Sequence, residues 1–125
     1  MEQMKQDSQV LDAIYAAFQP YIAQQDFFDI LYSEKAGYLY FLTDPKEAAG
    51  ITFLDTPEKM LSVLANEVIN DIVFSHPAVD QRGNALTAEE REACTGRLSA
   101  ILDTMDGDTG PYRRFLQGYL DSYRF

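Results

Sequence analysis

The stretch that most constrains the fold of this chain is DILYSEKAGYLYFL, residues 29–42. Two short runs rich in aromatic and aliphatic side chains flank the more polar residues 34–37, and this pattern predicts a β-hairpin over about residues 27–43. If residues 34–37 form the loop, Leu31 faces Tyr40 across the hairpin. A change of one residue in this register regroups the side chains on the two faces.

Neither face of the predicted hairpin is polar. In the expected register one face holds Phe28, Ile30, Tyr32, Leu39 and Phe41, and the other holds Asp29, Leu31, Ser33, Tyr38, Tyr40 and Leu42. Either helices cover both faces, or one face stays open for self-association or for a partner. Covering both faces would leave little helix to pack on itself, which favours an open face. Leu31, Tyr38 and Tyr40 then form a partner-binding patch, because tyrosine combines apolar area with a polar tip.

The sequence on either side of the hairpin predicts helices and one more strand. A first helix begins near Ser8, and Pro20 should end or kink it. Residues 50–54 are a candidate third strand. Thr56 and Pro57 suit the N-cap and the first turn of a second helix. The buried stripe of that helix is expected at Met60, Leu61, Leu64, Val68 and Ile72.

A loop over residues 75–86 precedes the third helix. Thr87 and Glu90 form a capping box, in which each side chain satisfies a backbone donor of the other residue. This helix should run to about Met105, and Pro111 should open a fourth helix. One helix, a small antiparallel sheet and then three helices make an α+β fold with helices on at least one face of the sheet.

Size and composition indicate a single domain, residues 1–125, with 46% hydrophobic residues and enough chain to bury a core. Cys94 is the only cysteine, so an internal disulfide is excluded. The opening residues, MEQMKQDSQV, lack the layout of a signal peptide, and no apolar run approaches the roughly 18 residues of a bilayer span. We therefore expect a cytoplasmic protein that does not bind membranes.

Acidic charge is the strongest global property of the sequence. Twenty acids against ten bases give a net charge of −10. The excess lies in residues 1–108, because residues 109–125 carry three arginines and one aspartate. Such a chain is poorly suited to bind nucleic acid or an anionic membrane directly. The charge either serves solubility or attracts a basic surface on a partner protein.

Residues with catalytic or metal-binding potential are few. His76 is the only histidine, which excludes metal sites built on two histidines. A nucleophile–base pair of His76 and Cys94 is disfavoured, because Cys94 lies on the apolar stripe of a predicted helix. Residues 106–110 match a calcium loop only at Asp106 and Asp108, so helix caps explain this stretch better. We expect no catalytic residue, no metal and no cofactor.

The leading hypothesis is a non-catalytic binding protein. Short acidic α+β chains occur among proteins that inhibit nucleic-acid enzymes as nucleic-acid mimics, of the anti-restriction or anti-CRISPR type. By this analogy of class, the chain occupies the basic nucleic-acid-binding surface of a larger protein, with hairpin side chains as an apolar anchor. The candidate carboxylates are Glu58, Glu67, Asp71, Glu89, Glu90 and Glu92, all expected on exposed helix faces.

Two alternatives stay open. In the first, the hairpin pairs with itself across a twofold axis and makes a homodimer or larger homo-oligomer with a structural or regulatory role. In the second, the chain is a small ligand-binding domain or enzyme built round Glu67, Asp71 and His76. Carboxylates four residues apart share a helix face, which is the basis of that second alternative.

Overall fold

The computed structural model describes residues 2–44, 46, 50–75 and 83–125, and the side chains of all of these except residues 2–7. Within them the chain forms α1 (Glu2–Ala23), β1 (Phe28–Ser33), β2 (Gly37–Leu42), β3 (Thr52–Leu54), α2 (Pro57–Ser75), α3 (Ala88–Leu102) and α4 (Gly110–Ser122). The strands form one antiparallel sheet in the order β1-β2-β3. This sequence of elements confirms the predicted α+β class.

The chain divides into two compact units, residues 1–60 and residues 61–125. The first unit contains α1, the sheet and the first turn of α2. The second contains the rest of α2 together with α3 and α4. The organisation of residues 1–125 as a single domain stays a prediction.

The hairpin has a different register from the one expected. Leu31 pairs with Leu39 and not with Tyr40, and Ser33 pairs with Gly37. The loop therefore has three residues instead of four. Every side chain of β2 moves by one position relative to β1, so the expected composition of the two faces is wrong.

Gly37 directly follows the shorter loop and is the first residue of β2. Its φ of 78° lies in the left-handed region, where glycine is favoured, so the chain can turn back into the sheet at this residue. The Ser33 hydroxyl accepts hydrogen bonds from the backbone N–H groups of Lys35 and Ala36, at 3.3 and 3.2 Å. Ser33 and Gly37 therefore define the turn from both of its ends.

Helix α1 extends beyond both predicted limits. It begins well before Ser8 and continues through Pro20 to its end at Ala23. Pro20 lacks a backbone donor, but the turn that follows is held in place because Tyr21 and Ile22 are buried. The prediction that Pro20 could end the helix is therefore wrong.

Strand β3 and helix α2 lie where the sequence predicted them. The Thr56 hydroxyl accepts a hydrogen bond from the backbone N–H of Lys59 at 3.1 Å, which confirms Thr56 as the N-cap. All five residues of the predicted apolar stripe are buried, and Ala65 and Ile69 widen it. The helix ends at Ser75, as expected.

Helix α3 begins with the predicted capping box. The Thr87 hydroxyl accepts a hydrogen bond from the backbone N–H of Glu90 at 3.1 Å. In return, the Glu90 carboxylate accepts a hydrogen bond from the backbone N–H of Thr87 at 2.9 Å. The helix ends at Leu102, three residues before the expected end. Cys94, Leu98 and Leu102 form its buried side.

Arg113, in the first turn of α4, makes hydrogen bonds to α3 and to the segment between the two helices. The Arg113 guanidinium donates to the Asp103 carboxylate at 2.7 Å, to the Ser99 hydroxyl at 2.6 Å and to the Thr109 hydroxyl at 2.9 Å. These partners compensate for a cation in the first turn, where the helix dipole opposes positive charge. Arg113 is thus engaged within the second unit.

Candidate protein-binding site

The sheet has one covered face and one open face. Side chains alternate along a strand, so the observed register places the even-numbered residues of all three strands together. This covered face consists of Phe28, Ile30, Tyr32, Tyr38, Tyr40, Leu42, Thr52 and Leu54. Within it Phe28, Ile30 and Leu54 are almost completely buried, and α1 contacts β1.

Tyr38 connects α1 to the central strand. Its hydroxyl donates to the Asp12 carboxylate at 2.6 Å, and its ring centroid lies 5.0 Å from that of Tyr15. Only 7% of Tyr38 is exposed. Burial, and then the bond to Asp12, raise the pKa of Tyr38 above its ordinary value. These contacts give Tyr38 a structural role on the covered face.

The open face is a cluster of six apolar residues. They are Phe27, Leu31, Leu39, Phe41, Ile51 and Phe53, where Phe27 and Ile51 directly precede β1 and β3 and continue the alternation. Four are strongly exposed: Phe27 at 74%, Ile51 at 57%, Phe53 at 53% and Leu31 at 52%. Single exposed apolar residues are ordinary, but a contiguous cluster on one sheet face is typical of an interaction surface.

The register orders the open face into rows across the sheet. Leu31, Leu39 and Phe53 are cross-strand partners and make one row over all three strands. In the next row Asp29 is the partner of Phe41. Asp29 is therefore an acidic residue within the apolar surface itself.

The predicted partner-binding patch is divided between the two faces. Leu31 lies on the open face, whereas Tyr38 is buried on the covered face. Tyr40 is half-buried on the covered face, with its ring centroid 5.6 Å from that of Phe28. The expectation that Leu31, Tyr38 and Tyr40 share one surface is wrong, because it assumed a four-residue loop.

Sequence reasoning missed most of the open face. It did not group Leu31 with Leu39 and Phe53, and it gave no role to the residues that precede each outer strand. The difference lies in Gly37, which the sequence analysis placed in the loop and which the structure places in β2, paired with Ser33. A loop of three residues and a loop of four both fit the sequence, so the sequence alone carries no signal that decides between the two registers.

The outer edge of β1 is partly closed by Asp29. The backbone N–H of Thr43 donates to the carbonyl of Phe27 at 2.9 Å, so in the antiparallel ladder the odd-numbered residues of β1 bond to β2. The N–H of Ile30 then points to the outer edge, where it donates to the Asp29 carboxylate at 2.8 Å. The donor that an added strand needs at this position is occupied.

The six predicted carboxylates differ in exposure. Glu58 is exposed in the first turn of α2, within residues 1–60. In the second unit, Glu67 is half-buried and the Asp71 carboxylate pairs with Arg97 at 3.1 Å. An ion pair this exposed contributes little stability.

The three glutamates at the start of α3 also differ in exposure. Glu89 and Glu92 are exposed, as expected. Glu90 is only 2% exposed, and the expectation of an exposed carboxylate is wrong at this position. Its side chain turns inward because it completes the capping box with Thr87.

The residues considered for catalysis or metal binding in the sequence include Cys94, His76 and Asp108. Cys94 is buried, and its burial raises the pKa of the thiol to about 11, which makes it a weak nucleophile. His76 lies outside the described residues. The Asp108 carboxylate accepts a hydrogen bond from the backbone N–H of Gly110 at 2.9 Å, a contact that aspartate commonly makes in turns. In the described part of the chain no three His, Cys, Asp or Glu side chains form a metal-binding group.

Comparisons with known proteins give no relative. No family model, no curated protein and no solved structure matches the chain. No helix among the described residues is long and apolar enough to cross a lipid bilayer. The open face and the acidic charge are therefore the two properties from which a function can be argued.

Proposed function

We propose that the protein is a non-catalytic acidic binding module that holds a positively charged partner protein against the open face of its sheet. In its most concrete form the module is an inhibitor. It occupies the basic nucleic-acid-binding surface of a larger protein and thereby excludes nucleic acid. The open face supplies apolar contact, and the charge selects the partner.

The observation that carries this proposal is the exposure of the open face. Covering one phenylalanine or leucine side chain contributes about 1.5–3 kcal/mol. Four side chains of the cluster are more than half exposed, and they surround the half-buried Leu39 and Phe41. A partner that covers this cluster gains the apolar centre that is typical of specific protein interfaces.

Charge supports the choice of a basic partner. The segment that carries the sheet, residues 26–55, has six acids and two lysines, and the whole chain carries −10. Opposite charge on the partner accelerates association and disfavours acidic competitors. Surfaces that bind nucleic acid are basic, so they have the charge that this chain attracts. Glu58 lies in the same unit as the sheet, and its exposed carboxylate can pair with lysine or arginine on such a surface.

The test is a pull-down with the tagged chain from a lysate of its source organism, at low and at high salt. It is run in parallel with Phe53→Ser, which changes the open face, and with Phe74→Ser as matched control. Phe74 is 84% exposed at the end of α2, in the second unit. Retained proteins are identified by mass spectrometry and the main one is purified.

Support requires four results together. The wild type and Phe74→Ser capture the same nucleic-acid-binding protein, Phe53→Ser does not, and high salt releases it. The purified complex must also fail to bind labelled nucleic acid that the partner binds alone. Capture that is indifferent to Phe53→Ser contradicts the role of the open face, and capture that is indifferent to salt contradicts the role of charge.

A second candidate is self-association through the same apolar surface, because a sheet face can cover a second copy of itself. The charge of −10 on each copy opposes this pairing, so it should strengthen with salt. Light scattering at low and high salt separates the candidates. A dimer that forms at high salt and is lost in Phe53→Ser favours self-association, whereas a monomer under both conditions excludes it.

A further inference from the structure

We infer that the partner contributes an amphipathic α-helix, with an apolar stripe flanked by lysine and arginine, and that this helix lies along the open face. This inference rests on the proposed function, because it names the kind of element that the same face takes. It follows from the dimensions of the face, from the state of the sheet edges and from the charges around it.

The dimensions of the open face match one helix. Three strands about 4.8 Å apart span about 10 Å between the outer strand axes, and a six-residue strand is about 20 Å long. An α-helix with its side chains is about 10–12 Å wide, and about 13 residues of helix cover 20 Å. One helix of three to four turns therefore covers the face, with apolar residues at intervals of three and four.

The edges of the sheet are less suited to an added strand. At β1 the outward N–H of Ile30 already donates to Asp29, and the carboxylate brings a negative charge to that edge. At the other edge β3 has three residues, Thr52–Leu54, which offers a short ladder. Binding over the face uses the six apolar side chains and needs no free backbone groups.

Acidic residues stand at both ends of the open face. Asp26 and Asp44 are exposed at the end where β1 begins and β2 ends. Glu34 is exposed in the hairpin loop at the opposite end, where the exposed Lys35 follows it, so the acidic excess lies at the end with Asp26 and Asp44. Between these ends Asp29 lies on the face itself, opposite Phe41. A helix with basic residues beside its apolar stripe pairs with these carboxylates, whereas a second acidic copy is repelled.

The test uses the full chain and synthetic 15-residue peptides labelled with a fluorophore. The first peptide carries leucines at helical spacing with lysines on the other positions. The second keeps the leucines and replaces every lysine by glutamate. The third is the first peptide with its two central residues replaced by proline, which prevents helix formation. Binding is measured by fluorescence anisotropy at low salt.

The expected result is saturable binding of the leucine–lysine peptide, at least tenfold tighter than binding of either other peptide. Phe53→Ser weakens it at least tenfold, and Phe74→Ser leaves it unchanged. Absence of saturable binding overturns the inference. If the proline peptide binds equally well, the partner segment is extended and the inference is overturned. If the glutamate peptide binds equally well, charge does not select the partner, and the inference is overturned as well.

The two experiments distinguish failure of the helical-partner inference from failure of the proposed function. If the pull-down partner still depends on Phe53 while the leucine–lysine peptide fails to bind, the binding module stands and the helical partner is wrong. If Phe53→Ser changes neither the pull-down nor peptide binding, both fail together. A peptide that binds equally to wild type and to Phe53→Ser binds through general charge attraction and counts against the inference.

Discussion

The hydroxyl of Tyr38 lies 2.6 Å from the carboxylate of Asp12, and this bond joins the central strand of the sheet to the first helix. The Tyr38 ring also lies 5.0 Å from each of the rings of Tyr15 and Tyr32. One side chain thus holds α1 over the covered face, which leaves the opposite face of the same strands open. The exposure of the open face and the burial of Tyr38 are two results of one register.

Tyr38→Phe keeps the ring and removes the hydrogen bond. We expect a loss of about 1.5–3 kcal/mol in the free energy of unfolding, because hydrogen bonds to charged groups contribute about this much. Urea denaturation measures it. Tyr32→Phe is the matched control, since Tyr32 is 58% exposed, and it should change the free energy of unfolding by less than about 0.5 kcal/mol. Equal losses in the two variants would show that the bond to Asp12 is not a stabilising contact.

Stability should fall at alkaline pH. The pKa of Tyr38 is raised in the folded protein, mainly by burial, so the unfolded chain releases this proton first as the pH rises above 10. The stability due to this shift is complete below pH 10 and is lost between pH 10 and the raised pKa. The difference in stability between wild type and Tyr38→Phe should therefore be constant below about pH 9 and shrink above about pH 10. A constant difference up to about pH 11 in urea titrations contradicts the raised pKa.

The same substitution should cost much more stability at one residue of β3 than at its neighbour. Leu54 is 1% exposed on the covered face, so Leu54→Ser should cost roughly 2–5 kcal/mol. Phe53→Ser changes the open face and should cost less than about 1 kcal/mol, while it lowers the binding of an apolar fluorescent dye. Thermal unfolding and dye fluorescence measure both. A larger loss in Phe53→Ser than in Leu54→Ser would contradict the observed register.

The capping box of α3 should act as one unit. Thr87→Ala should cost about 1 kcal/mol, and Thr87→Ser should be nearly neutral because serine keeps the acceptor. Glu90→Ala removes the reciprocal bond, so the double variant should cost less than the two single variants together. Glu92→Ala, on the exposed side of the same helix, is the control. Additive losses in urea denaturation would mean that the two bonds form independently.

Cys94 should be inert in the folded protein. With a thiol pKa of about 11, only about one molecule in a thousand carries the thiolate at pH 8, and the sulfur is buried as well. We expect slow reaction with a thiol reagent under native conditions and complete reaction in denaturant. Rapid labelling of the native protein, at the rate of an exposed thiol, would contradict the burial of this side chain.

The parts of the fold that depend on local chemistry were predictable from the sequence. Thr56 and the pair Thr87 and Glu90 are capping residues whose partners lie within one helical turn, and both caps are observed. The apolar stripe of α2 was also predicted correctly, because the spacing of apolar residues is the same in the sequence and on the helix surface. Four helices and a three-stranded sheet follow from such signals.

The parts that depend on one backbone angle or on tertiary burial were not predictable in this way. The register of the hairpin is set by the left-handed conformation of Gly37, and a four-residue loop fitted the sequence equally well. α1 continues past Pro20 because Tyr21 and Ile22 are buried, which local propensity does not show. The burial of Glu90 was not predicted either, although the capping box that turns its side chain inward was. Glu89 and Glu92 on the same helix are exposed, as expected.

The hydrogen bond between Asp29 and the N–H of Ile30 has a consequence for the protein at high concentration. A sheet with an apolar face and bare edges is a template for fibres, because copies can add strand by strand. An incoming copy that approaches β1 finds the Ile30 donor taken and meets a carboxylate that repels its own acidic surface. Fibre growth along this edge is opposed, although the apolar face stays uncovered. The open face, which we propose as the binding surface, can therefore stay uncovered without strand-by-strand assembly along this edge.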